Sequence, residues 1–211
     1  HRQMLDQVLE IFGITPNYDL DIMKNRQTLV GITTRVLEGL DKVIKQAKPD
    51  IILVHGDTST SFVGALAGFY NRVPVGHVEA GLRTYDIYSP YPEEMNRQLT
   101  GRIACMHFAP TMRNRQNLLK ENVDDENIFI TGNTVIDALK TTVREDYKFA
   151  DETLNGIDFG NRRVIIVTAH RRENLGEPLE NICNAIKTVM EKYEDTEVVY
   201  PVHLNPAVRE T

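Results

Sequence analysis

Ile51-Ile52-Leu53-Val54-His55-Gly56-Asp57-Thr58-Ser59-Thr60-Ser61 is the stretch that decides the fold. Its first four residues form a continuous apolar run of strand length, suited to a strand buried on both faces. A polar loop follows, then apolar residues at helical spacing: Phe62, Val63, Leu66, Ala67, Phe69 and Tyr70. Buried strand, short polar loop and helix together make the repeating unit of a parallel α/β sheet.

The same alternation extends in both directions. Upstream, Leu29, Ile32, Val36, Leu40, Val43 and Ile44 mark a long amphipathic helix that ends at Pro49-Asp50. Before it, Asn17–Ile22 alternates like a short strand, and Met4, Leu5, Val8, Leu9, Ile11 and Phe12 form a helical face stopped by Gly13. Downstream come a strand at Val73–Val78, a loop rich in Tyr and Pro at 85–92, and a helix at Glu93–Ala104. The strand Met106–Ala109, a helix at Arg115–Glu121, the strand Ile128–Ile130 and a helix from Val135 complete this half. The pattern predicts a doubly wound, Rossmann-like domain over residues 1–145, its sheet covered on both faces. Residues 146–161 read as a polar linker. A second alternation (Val164–Thr168, Leu179–Lys192, Val198–Val202) is the start of another such domain over 162–211, truncated after two strands.

Composition narrows the class. The chain has 211 residues, 41% hydrophobic and 26% charged, with 24 basic and 30 acidic side chains for a net charge of −6. That balance offers no basic surface for a phosphodiester backbone, so no nucleic acid is expected as partner. No apolar run approaches the roughly 20 residues that span a bilayer, so no membrane partner is expected either. The opening His1-Arg2-Gln3-Met4 reads as neither a signal peptide nor a natural start. Cys105 and Cys183, far apart in apolar company, read as buried free thiols of a reducing compartment. The expectation is a soluble, cytoplasmic protein.

Polar chemistry gathers where ligands of a parallel sheet bind, beyond the carboxyl ends of the strands. His55, His77, His107, His170 and His203 all lie in or just after a predicted strand. No close His/Cys/Asp cluster or HExxH motif suggests a metal, and no GxGxxG or GxxxxGK[ST] suggests a dinucleotide or P-loop, so neither metal nor cofactor is expected. Asp57 sits in a loop that reads either as a helix cap or as a functional acid. Glu79 follows a buried strand, where solubility does not require an acid. Glu93 opens a helix with Arg97 one turn later, which is either an ordinary i, i+4 pair or a second functional acid with its partner. Thr131-Gly132-Asn133-Thr134 turns a strand into a helix with N–H groups suited to a phosphate, and His170-Arg171-Arg172 puts two guanidinium groups past a strand end. The residues themselves point to a phosphorylated small molecule held by carboxylates, histidines and arginines.

At these segments the sequence resembles a specific family. His55-Gly56-Asp57-Thr58, His77-Val78-Glu79-Ala80-Gly81-Leu82-Arg83, Pro92-Glu93-Glu94-Met95-Asn96-Arg97, Gly132-Asn133-Thr134-Val135-Ile136-Asp137, Ala169-His170-Arg171-Arg172-Glu173-Asn174 and Tyr200-Pro201-Val202-His203-Leu204-Asn205-Pro206 resemble the non-hydrolysing UDP-N-acetylglucosamine 2-epimerases of bacteria. The resemblance implies a glycosyltransferase-B-like fold of two Rossmann-type domains, with the active site in the cleft between them. It also implies that a first strand–helix unit and most of the second domain are absent from this chain, and that a piece ending at Thr211 has little or no activity.

The implied reaction inverts C2 of UDP-GlcNAc to give UDP-ManNAc, supplying a cell-surface polysaccharide, through elimination of UDP to a 2-acetamidoglucal and its re-addition. Acids and bases on opposite faces of the sugar and a cationic grip on the diphosphate are what such a route needs. By resemblance Asp57, Glu79, Glu93 and His170 are catalytic, Arg97 positions Glu93, and Arg83, Arg97, Asn133, Arg171 and His203 bind substrate. Gln3, Arg26, Gln27, Glu93 and His203 match the pattern of relatives activated by a second UDP-GlcNAc. The expected partners are UDP-GlcNAc, UDP-ManNAc, UDP and a second copy in a homodimer. A hydrolysing epimerase that releases ManNAc and UDP, a piece that only binds sugar nucleotide, and a glycosyltransferase of the same fold are the alternatives. The last is disfavoured because three carboxylates suit proton transfer better than sugar transfer.

Overall fold

A computed structural model describes residues 2–24, 27–169, 174–202 and 206–209, apart from the side chains of Gln3, Met4, Pro206 and Ala207. The chain divides into two compact units, His1–Val143 and Arg144–Thr211.

In the first unit, four strands form a parallel sheet in the order β1 (Ile52–His55), β2 (Val75–Val78), β3 (Met106–Ala109), β4 (Ile128–Ile130). Sequence order equals spatial order, as expected when each connection carries one helix. The connecting helices are α3 (Ser59–Tyr70), α4 (Glu93–Ile103) and α5 (Met112–Lys120). Side-chain alternation explains which face they cover. Val54, His77, His107 and Ile128 share one register row, and all four are buried. Val54 and Val75 pack with Ala65 of α3 and Ile103 at the end of α4, while Ala109 and Ile128 pack with Leu118 of α5. The long helix α2 (Leu29–Ala47) lies against α3. Its N-cap Thr28 accepts from Gly31 N–H, and Lys48 ends it in the left-handed region.

The opposite face of the sheet departs from expectation. Leu53 is 60% exposed and Phe129 43%, so among the described residues the apolar run Ile51–Val54 is buried on one face only. Phe108 stacks on Phe129 there, with ring centroids 5.7 Å apart. Gly76 lies between: a Cβ on it would come 2.7 Å from Leu53 Cδ2 and 3.1 Å from Phe108 Cε2.

Two further expectations are corrected. Residues 17–22 form no strand, although Tyr18, Leu20 and Ile22 alternate with polar residues. Asp19 Oδ1 accepts from Asp21 N–H, Asp21 adopts φ +40°, and Arg2 of α1 (Arg2–Ile11) pairs with Asp19 at 2.6 Å. Local side-chain bonding of this kind competes with a ladder. Cys105 is exposed and Cys183 half-buried, so neither is a core thiol. Cys105 precedes β3 at the edge of the covered layer, where its thiol donates to Val75 C=O.

After β4, α6 (Thr134–Thr142) ends the first unit. The second unit begins with a short helix, α7 (Glu152–Asn155), capped by Asp151. It pairs β5 (Arg163–Ile166) in parallel with β6 (Thr196–Val199), connected by α8 (Glu177–Lys192), whose Leu179 is buried; α9 (Pro206–Arg209) follows. Arg163 pairs with Asp195 and lies over the Tyr193 ring, fixing the entry to β6.

The turn after β2 packs closely on α5. Gly81 adopts φ +84°, and a Cβ there would come 2.8 Å from the Asn114 carbonyl carbon in α5. Gly132 adopts φ +79° with nothing within 4 Å of a Cβ. Gly81→Ala therefore adds a backbone clash to the conformational penalty, whereas Gly132→Ala carries the penalty alone. In urea unfolding of the full-length protein we expect a loss of about 3 kcal/mol or more for Gly81→Ala and about 1 kcal/mol for Gly132→Ala. Equal losses would mean that the turn is not packed on α5.

Candidate active site

The loop after β1 is held from three directions. Its own helix supplies the first: Thr58 caps α3 by accepting from Ser61 N–H at 3.2 Å, and Ser61 Oγ donates to His55 C=O at 2.5 Å. Because Thr58 is the cap, Asp57 is not spent on capping. From β2, Val78 C=O accepts from Gly56 N–H at 3.0 Å, and His77 Nε2 lies 2.8 Å from Gly56 C=O. From α4, Asn96 Nδ2 donates to Asp57 C=O at 2.9 Å.

Asp57 itself is clamped by Arg97, whose Nε and Nη2 both donate to Oδ2 at 2.9 and 2.7 Å. Two charge-assisted bonds to one oxygen fix the position of that oxygen. Oδ1 has no partner among the described residues, and the side chain keeps 26% of its surface exposed. Arg97 Nη1 donates to Glu94 Oε2 at 3.1 Å. The expected pairing of Arg97 with Glu93 is therefore corrected: the helix turns Arg97 onto Glu94, one i, i+3 step away, and across the loop to Asp57. Glu93 is half-buried in the first turn of α4, and its carboxylate has no hydrogen bond or ion pair among the described residues. One turn before Arg97, it shares the helix face that meets the Asp57 loop.

Glu79 follows β2 with φ +66°, an uncommon conformation for a side chain with a Cβ. This backbone turns the carboxylate over the first loop. Glu79 Oε2 lies 3.9 Å from His55 Nε2 and 3.3 Å from the position a Gly56 Cβ would take. His55 Nε2 is also 3.2 Å from Thr134 Oγ1, the first residue of α6. Asp57 and Glu79 thus flank one glycine at the carboxyl ends of adjacent strands, with Thr134 reaching in from the fourth. Asn133 caps α6, its Oδ1 accepting from Val135 N–H at 3.0 Å, which commits that oxygen locally.

Three histidine and arginine expectations change. His77 and His107 are buried in the covered face of the sheet, not at its mouth. Burial pushes His77 down to about 4, outweighing the opposing bond to Gly56 C=O, and burial lowers His107 too. Neutral His77 must donate Nε2–H to the carbonyl, which leaves its buried Nδ1 an acceptor without a partner among the described residues. Arg83, expected on substrate, has a fully buried side chain locked by Glu121 at 2.7 and 2.8 Å, with Nη1 on Leu82 C=O. It joins the turn after β2 to α5 and offers nothing to a ligand.

His170, Arg171 and His203 lie outside the described residues, as do Arg26 and the Gln3 side chain. Gln27 is described; its Oε1 accepts from Arg35 Nη2 at 2.8 Å. Among the described residues no three His, Cys, Asp or Glu side chains come together as metal ligands, and no helix is long and apolar enough to cross a membrane. The sequence reading missed Glu94 and Asn96. The signal for Glu94 was available in Glu94-x-x-Arg97, a charge pair at helical spacing beside one already noticed.

The whole chain, residues 1–211, matches the family described as UDP-N-acetylglucosamine 2-epimerase. It is 60% identical over 210 residues to the UDP-N-acetylglucosamine 2-epimerase of Bacillus subtilis, all of this chain against 54% of that protein. Among solved structures, the UDP-GlcNAc 2-epimerase of Neisseria meningitidis bound to UDP-GlcNAc is 48% identical with a TM-score of 0.90, covering all of this chain and 58% of that one. S. aureus MnaA in its structure with UDP is 52% identical with a TM-score of 0.90, covering all of this chain and 54% of that one. The chain thus spans about half the length of the relatives it matches. The parallel α/β class and its glycosyltransferase-B-like kinship are borne out.

The neutral, buried His77 makes stability depend on pH. Its folded value is about 4 against an ordinary 6.5, so between those values the unfolded chain binds the extra proton and stability rises with pH. The contribution is fully present above pH 6.5 and is lost as pH falls toward 4, amounting to about 3 kcal/mol. In denaturation of the full-length protein at stepwise pH, His77→Gln should flatten this slope. An unchanged slope would contradict the buried, neutral assignment.

Proposed function

The chain belongs to the UDP-N-acetylglucosamine 2-epimerase family, and from that premise we propose that the complete protein interconverts UDP-GlcNAc and UDP-ManNAc without hydrolysis. The observation that carries the reading is the pairing of Asp57 and Glu79 at the ends of β1 and β2, one with a free oxygen and the other turned by its backbone over the same glycine.

The C2 proton of the sugar is not acidic enough for unaided abstraction. A base removes it while the C1–O bond to UDP breaks, giving a 2-acetamidoglucal and UDP. Re-addition returns UDP to C1 and delivers a proton to the other face of C2, so atoms and charge balance over the cycle. Asp57 and Glu79 serve as the proton-transfer groups. Glu93 is the second base or orients the sugar, and His170 supports the charge that develops on the leaving diphosphate. Arg171 and His203 are the proposed nucleotide contacts, and Asn133 is a sugar or phosphate contact through its amide nitrogen. Arg97 acts through Asp57 rather than on substrate. Activation by a second UDP-GlcNAc is proposed for the set Gln3, Arg26, Gln27, Glu93 and His203, in which Gln27 is already tied to Arg35. The product supplies cell-surface polysaccharide, and the full-length enzyme is proposed to be a cytoplasmic homodimer with residues 1–145 and 162–211 in separate domains.

Incubating the full-length protein with UDP-GlcNAc in D2O and following products by NMR tests the reaction. We expect UDP-ManNAc and returned UDP-GlcNAc carrying deuterium at C2, with sugar and UDP still joined. Free ManNAc with stoichiometric UDP would establish a hydrolysing enzyme, and binding without turnover would leave only a sugar-nucleotide module; either overturns the proposal. Asp57→Asn, Glu79→Gln and His170→Asn should each reduce turnover by at least ~100-fold with the fold intact. Two of the three at wild-type rates would contradict the assignment.

A further inference from the structure

Glu94 is a charged side chain with no exposure to solvent, and none of the roles above uses it. A carboxylate in that position survives only if its lone pairs are met. They are met fully. Oε1 accepts from Tyr85 N–H and Gln98 Nε2, and Oε2 accepts from Thr84 N–H and Arg97 Nη1, all at 3.1 Å. Burial alone would raise its titration, yet the bonds from Gln98, Thr84, Tyr85 and Arg97 outweigh it and hold the carboxyl below the usual range. Glu94 is therefore ionised and immobile.

One of its four bonds comes from Gln98 in the same helix, and the other three run in two directions. Two pin the corner at residues 84–85, where Tyr85 takes φ +64° and its hydroxyl donates to Asn117. One pins Arg97. An arginine side chain free to sample its rotamers surrenders entropy on being fixed. Here one N–H of the guanidinium is anchored on an ionised, buried acid in the same helix. The plane of the guanidinium is then set, and the remaining Nε and Nη2 edge points at a single oxygen of Asp57. Across the three groups, one positive and two negative charges leave a net charge of −1, so Arg97 cannot neutralise both acids.

We propose that Glu94 is a positioning residue for the proton transfer: it fixes Arg97 so that Oδ2 of Asp57 is saturated and Oδ1 alone is presented to the sugar. The proposal rests on the reading of Asp57 as a proton-transfer group.

Glu94→Gln tests it in the full-length enzyme. The amide keeps the volume but replaces one acceptor by a donor, which faces either Tyr85 N–H and Gln98 Nε2 or Thr84 N–H and Arg97 Nη1. We expect kcat to fall about 10- to 100-fold while KM for UDP-GlcNAc stays within about 3-fold. Arg97→Lys keeps the charge but cannot reach both acids with a planar fork, and it should show the same split. Because both changes break one chain of contacts, the double variant should lose no more than about 3-fold beyond the worse single one. Multiplying losses would mean two independent structural effects and would overturn the proposal, as would equal damage to kcat and KM or a wild-type kcat in Glu94→Gln. If Glu94→Gln does not fold, Glu94→Asp decides: it retains the charge but retracts it by one methylene. A kcat loss of about 10-fold at unchanged KM supports the positioning role, and wild-type kcat contradicts it. Wild-type enzyme and Asp57→Asn run alongside separate the two failures. An inactive wild type or an active Asp57→Asn sinks the epimerase reading itself, whereas failure confined to Glu94 leaves that reading standing.

Discussion

The guanidinium of Arg97, held between Asp57 and the buried Glu94, is the constraint on which the site depends. Three segments meet at this ion network: the loop after β1 through Asp57, the first turns of α4, and the corner at residues 84–85 through Glu94. Without it, the Asp57 carboxylate would sit on a loop tied only through its backbone to β2 and α4. With it, the acid has one committed and one available oxygen. This is how a parallel sheet converts a loop residue into a defined chemical group: the strands fix where the loop starts, and a buried ion network fixes where its side chain ends.

Glu79 reaches the same place by another route. Its position comes from the backbone, through a left-handed residue at the end of β2, and the adjoining Gly81 lets that turn settle against α5. Glycine at position 56 leaves room for the carboxylate. Strain at a functional acid is tolerable because the flanking residues are locked: Ala80 N–H on Phe108 C=O, Gly81 C=O on Asn117, and Arg83 on Glu121.

Much of this was legible beforehand. Apolar runs located β1 to β4, and helical spacing located α2 to α5, because both periodicities are imposed by burial of one face. The acids at 57, 79 and 93 stood out by following strands or opening a helix. What periodicity could not reveal was partner choice. Arg83 and Arg97 look alike in sequence, yet one is sealed on Glu121, 38 residues away, and the other bridges Asp57, 40 residues back. His77 and His107 looked like strand-end ligands because register decides whether a strand residue faces helix or solvent, and register comes from the neighbours. Asn17–Ile22 had strand alternation but, among the described residues, no strand beside it, so Asp19 turned it instead. Leu53, apolar and exposed, shows that hydrophobicity alone does not say which face is covered.

The account stands on Asp57 and Glu79 addressing one sugar carbon. A crystal structure of the full-length Asp57→Asn protein with UDP-GlcNAc measures this directly. The account predicts the hexose at the ends of β1 and β2, its C2 edge within about 3.5 Å of the side chain at position 57, and Glu79 within similar reach. A hexose bound away from these two loops, or with C2 turned from both side chains, would contradict it.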